Sequence, residues 1–95
     1  MKKALIVEDS QTDLQIMSSC LGQNGYDVVK ASNHNEALFQ IKEQHFNLIV
    51  LDVVLPDRSG FELCRQLKQE EATNKIPVII CSTKNSDLDK FWGMK

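Results

Sequence analysis

The sequence predicts an α/β fold built on a parallel sheet, and three observations lead there. Short apolar runs at residues 3–7, 26–31, 48–52 and 78–81 alternate with stretches whose apolar residues recur at helical spacing, the pattern of βαβ units. The central run, Asn47-Leu48-Ile49-Val50-Leu51-Asp52, is apolar almost throughout, as expected of a strand buried on both faces. It then stops at a carboxylate followed by a Pro56, Asp57, Ser59, Gly60 turn cluster, which puts Asp52 at the carboxyl end of a central strand. Open α/β sheets form their sites in the crevice at such strand ends. A strand-terminal Asp is also a common way to begin a turn.

In chain order, Lys3-Ala4-Leu5-Ile6-Val7 is the first strand. Ser10 is a capping hydroxyl for a helix from about residue 10 to 23, with Leu14, Met17 and Leu21 on its apolar face and Gly22 and Gly25 at its exit. Residues 26–31 form a second strand. Asn33 caps a second helix through about Glu43, faced by Ala37, Leu38 and Ile41. His34 and His45 flank that helix, where solvated side chains are expected. Ser59 or Gly60 opens a third helix whose buried face is expected to be Phe61, Leu63, Cys64 and Leu67, with residues 69–75 as its polar exit. Pro77 admits the fourth strand, because a proline at a strand's first residue removes no ladder hydrogen bond. Ser82-Thr83-Lys84 ends that strand, and a fourth helix starts near Ser86 or Asp87 and includes Leu88, Phe91 and Trp92.

The first strand ends, like the central one, in acid: Glu8-Asp9-Ser10. If the two strands are parallel neighbours, Glu8, Asp9 and Asp52 gather at one sheet edge. Crowded carboxylates repel one another unless something positive sits among them. A hard divalent cation fits, and Mg²⁺ in particular takes one or two carboxylates while keeping several waters.

Three segments carry a family resemblance: Leu5-Ile6-Val7-Glu8-Asp9-Ser10, then residues 48–60, then Ile76-Pro77-Val78-Ile79-Ile80-Cys81-Ser82-Thr83. In order and spacing they resemble the signature segments of response-regulator receiver domains, the phosphoacceptor modules of two-component signalling, and the likeness covers residues 1–95. It implies a doubly wound, flavodoxin-like parallel sheet with strand order 2-1-3-4 over the part present. It further implies that Asp52 accepts a phosphoryl group from a histidine kinase or phosphotransfer protein. Asp9 is then the direct Mg²⁺ ligand, Glu8 acts through water, and the Val54 carbonyl completes the protein's share. Ser82 takes the place of the receivers' switch hydroxyl. Thr83 stands where receivers often carry Ala or Gly, so that its bulk slows access to the site. Lys84 follows the fourth strand, whereas the family's charge-pairing lysine ends the fifth, so that role passes to no residue here.

Compared with the family, the sequence stops around the end of the fourth helix, without the fifth strand and helix. If roughly five side chains lose their cover at about 1.5 to 3 kcal/mol each, the deficit is on the order of 10 kcal/mol, comparable with a whole domain's stability of roughly 5 to 15 kcal/mol. The expectation is a truncated receiver that self-associates, through the bare edge of residues 78–81 or by exchange of the last helix.

Composition sets outer limits. At 95 residues there is room for one core. With a net charge of -2 and both signs interspersed, no nucleic-acid-binding surface is marked. No run is long enough to span a bilayer and no leader is evident, so a cytoplasmic protein is expected. Cys20, Cys64 and Cys81 are widely spaced in apolar patterns and read as small buried hydrophobes. Output is expected by contact with a downstream protein, as in stand-alone chemotaxis and pilus-motility receivers, and enzymatic activity is at most self-phosphorylation from a phosphodonor and autodephosphorylation. Two other functions share parts of the pattern. An aspartyl-phosphate phosphatase also uses a strand-end Asp, but usually needs a second Asp where this chain has Val54; the other is an interaction module whose acids bind no metal.

Overall fold

The computed structural model describes residues 2–81. Their order is β1 (Lys2–Val7), α1 (Gln11–Gln23), β2 (Tyr26–Ala31), α2 (His34–Glu43), β3 (Leu48–Asp52), α3 (Gly60–Gln69) and β4 (Val78–Cys81). The four strands form one parallel sheet in the order β2-β1-β3-β4. Ser82, Thr83, Lys84 and the fourth helix expected from Ser86 or Asp87 lie outside the described residues.

Side-chain alternation along the two inner strands divides the core between the sheet's faces. Leu5, Val7, Ile49 and Leu51 pack with Ala37 of α2 and Leu63 and Leu67 of α3. Ala4, Ile6, Leu48 and Val50 pack with Leu14 and Met17 of α1. All five residues of β3 are buried, because helices cover both sides of it. This is why the central run reads as continuously apolar.

Each helix starts on the cap its sequence offers. Ser10 accepts from the Asp13 N–H, Asn33 from that of Glu36 and Ser59 from that of Phe61. Helix α1 runs through Gly22, and the chain turns at Gly25, whose φ of 89° suits glycine. The polar exit of α3 has an anchor of its own. The buried Thr73 hydroxyl donates to the Leu67 carbonyl at 2.6 Å, and Lys68 Nζ donates to the Ile76 carbonyl at 2.9 Å.

Three expectations are corrected. Phe61 is 54 % exposed; it lies in the first turn of α3, while the buried stripe runs through Gly60, Leu63 and Leu67. Cys20 is exposed, since α1 buries Leu14 and Met17 instead, whereas Cys81 is buried. His34 is buried rather than solvated, and among the described residues neither ring nitrogen has a hydrogen-bond partner. Its backbone N–H donates to Asp57 of the loop after β3, as described below. His45 is exposed, as expected.

Candidate functional site

The parallel register determines where the acids meet. Val7 pairs with Leu51, so the next residues along, Glu8 and Asp52, stand side by side at the carboxyl edge of the sheet. By alternation both follow Ala4, Ile6, Leu48 and Val50 toward the α1 side. Carboxylate oxygens of Glu8, Asp9 and Asp52 all lie within 4.8 Å of one another.

The three acids are held differently. Glu8 is fully buried, its N–H donates to the Ala31 carbonyl at 2.9 Å, and its Oε2 accepts from the Ser10 N–H at 2.9 Å. Since Ser10 caps α1, that bond also joins the acid loop to the start of the helix. Asp9 is exposed and forms the open side of the cluster. Asp52 is fully buried at the end of β3, and its Oδ1 accepts from the Val54 N–H at 3.3 Å.

Behind Asp52 the backbone is closed tightly. The Val53 N–H donates to the Cys81 carbonyl at 2.9 Å, which extends the β3–β4 ladder by one bond. Its carbonyl accepts from the Gly60 N–H at 2.7 Å, and Val54 bridges to Ser59. A Cβ on Gly60 would stand 2.1 Å from the Asp52 carbonyl oxygen. Glycine is therefore required here by close approach of backbone to backbone. Val54 itself is half exposed and Leu55 is buried in the core, so the loop leaves the sheet and returns within a few residues.

The edge carries a negative field. Burial first, and then the charges of Asp52, Glu8 and Asp13, push the Cys81 thiol up to about 11. Away from the cluster, Asp57 is held below the usual carboxylate range. Burial acts to raise it, but the N–H groups of His34, Asn35 and Asp57 itself, with the charge of His34, outweigh that.

The structure thus brings together Glu8, Asp9 and Asp52 and sets Val54 beside them; Ser82 and Thr83 are not among the described residues. Arg58 is exposed on the turn. Sequence reading missed the contact of Asp57 with α2, which spans residues far apart along the chain. It also missed the packing demand on Gly60, for which the glycine in the turn cluster was a partial signal.

Three comparisons place this geometry among known proteins. The family model for the response regulator receiver domain matches residues 4–94. Protein PilH of Pseudomonas aeruginosa is 35 % identical over 95 residues, covering all of this chain and 78 % of PilH. The PhoP transcriptional regulatory protein of Bacillus subtilis is 36 % identical over 94 residues, but the chain spans only 38 % of its length. Among solved structures, chemotaxis response regulator CheY4 of Vibrio cholerae superposes with a TM-score of 0.81 at 31 % identity, over 99 % of this chain and 78 % of CheY4. The receiver domain of a Pseudomonas aeruginosa sensor histidine kinase, solved with magnesium in its active site cleft, has the same fold at 22 % identity and a TM-score of 0.79, over 95 % of this chain and 74 % of its own. With a match spanning nearly every residue, the sheet order and the acidic edge in one frame, this chain belongs to the response regulator receiver domain family of two-component signalling.

Proposed function

We propose that the chain is a phosphoacceptor: Asp52 takes a phosphoryl group from a histidine kinase or phosphotransfer protein, and the changed surface acts on a downstream protein by contact. The observation that carries this reading is the buried Asp52 carboxylate at a strand end, with oxygens of Glu8 and Asp9 within 4.8 Å. An oxygen of Asp52 forms the new bond to phosphorus as the bond to the donor breaks, giving an acyl phosphate. The Val54 N–H on Oδ1 holds the carboxylate in one orientation for that attack.

The donor set fits Mg²⁺, being hard, oxygen-only and clustered. Asp9 would be the direct ligand, Glu8 would act through water, and Asp52 and the Val54 carbonyl would complete the set. When bound, the ion offsets negative charge on the phosphoryl oxygens. Ser82 keeps the role of switch hydroxyl, donating to the phosphoryl group, and Thr83 that of limiting access.

Self-association belongs to the same proposal. Among the described residues β4 pairs only with β3, and Ile79 on it is 38 % exposed. Light scattering over a concentration series tests it, and a monomer throughout removes it. For the phosphoacceptor role the test is intact mass after incubation with acetyl phosphate and Mg²⁺. A phosphoryl adduct is expected on the wild-type chain and none on Asp52→Asn; an adduct that survives the substitution sinks the reading.

A further inference from the structure

We propose that Asp57 is a positioning residue, tying the loop that follows the phosphoacceptor strand to the first turn of α2 so that the two move as one unit. What it positions is taken from the phosphoacceptor reading; the tie itself is geometric. Asp57 Oδ1 accepts from the His34 N–H at 2.9 Å and Oδ2 from the Asn35 N–H at 3.2 Å. Using both oxygens fixes the carboxylate's orientation as well as its place.

Helix α2 already has a local cap. Asn33 Oδ1 accepts from the Glu36 N–H at 2.8 Å, and Glu36 Oε1 accepts in turn from the N–H of Ser32 at 2.9 Å. This reciprocal pair resembles a capping box and is enough to start a helix. The local pair leaves the first two N–H groups of the helix, those of His34 and Asn35, without a partner within α2, and Asp57 supplies it from outside, a link to a residue 23 positions beyond His34. His34 is buried at 1 % exposure, so water does not reach the N–H that donates to Asp57.

The loop on the other side of the tie is short and constrained. Gly60 and Val53 close its base, Val54 and Ser59 bridge above them, and Leu55 is held in the core. Asp57 sits between Leu55 and Ser59, so a swing of this loop that reorients the Val54 N–H on Asp52 also displaces Asp57 from α2. Because the Asp57 carboxyl is held below its ordinary range, the tie is present at neutral pH and is lost as pH falls through that lowered value.

The experiment compares Asp57→Ala with Asn33→Ala in the full chain, by NMR-detected amide hydrogen exchange without metal. Asp57→Ala is expected to speed exchange at His34 and Asn35 and, across the tie, at Gly60, each by about five-fold, the size of a lost cap. Asn33→Ala is expected to speed exchange at Glu36 and leave Gly60 unchanged. Gly60 exchange equal to wild type in Asp57→Ala overturns the proposal. The second readout is the rate of phosphoryl uptake from acetyl phosphate with Mg²⁺, expected to fall several-fold in Asp57→Ala, less in Asp57→Asn, which keeps one acceptor, and not in Asn33→Ala. Equal losses in the two alanine variants mean that Asp57 only stabilises α2, and also overturn it. If the wild-type chain takes up no phosphoryl group, the phosphoacceptor reading fails, and the exchange comparison alone decides the tie.

Discussion

Two residues at the edge of the sheet have effects that follow directly from their surroundings. Gly60 has no room for a side chain, since the atom in the way is the Asp52 carbonyl oxygen and no flexible group can yield. Gly60→Ala is expected to lose about 3 kcal/mol, read as a lowered urea midpoint, and to displace Asp52 from its neighbours. A midpoint equal to wild type would show that the backbone can part there at little cost. Cys81 is buried at 5 % exposure and its thiol is raised to about 11, so at pH 8 it is almost wholly protonated. Iodoacetamide at that pH is expected to label the exposed Cys20 and leave Cys81 unmodified until the chain unfolds, as peptide mapping would show. The burial of Cys81 was legible from its apolar strand, but the negative field around it was not. Glu8 and Asp52 become its neighbours only through strand pairing.

Helix α3 shows how far a pattern goes at the scale of one element. Its apolar residues Phe61, Leu63, Cys64 and Leu67 all fit one broad stripe in the sequence, yet Leu63 is fully buried while Phe61 is more than half exposed. The buried side of the helix is Gly60, Leu63 and Leu67, and Phe61 falls outside it. Leu63→Ala is therefore expected to lose about 2 to 5 kcal/mol and Phe61→Ala about 1 kcal/mol or less. Similar losses in chemical denaturation would mean that Phe61 packs against something. Strands and caps were more legible, because an apolar run with a turn cluster after it, or Ser and Asn just before a helical pattern, acts through its immediate neighbours. Helix α2 marks the boundary: Asn33 announces its start locally, whereas Asp57 reaches it from another loop.

For the whole molecule, the consequence of the fold is an acid cluster drawn from two strand ends. A cation that binds the folded cluster and not the separated acids stabilises the fold, by about 2.7 kcal/mol at a hundred times its dissociation constant. Mg²⁺ is thus expected to raise the melting temperature of the wild-type chain and to have little effect on Asp9→Asn. Asp9 is exposed, so this substitution leaves the core intact. A melting temperature insensitive to Mg²⁺ would remove the metal from the proposal. By itself the sequence determined the succession of strands and helices, the parallel sheet and the three acids, because apolar periodicity and turn residues report on local structure and on which faces must leave water. Only the tertiary structure decided that Glu8 lies level with Asp52, that Gly60 seals the strand end, that His34 is covered and that Asp57 grips α2. Those relations depend on register and on the packing of segments distant in sequence, and no stretch of chain encodes them alone.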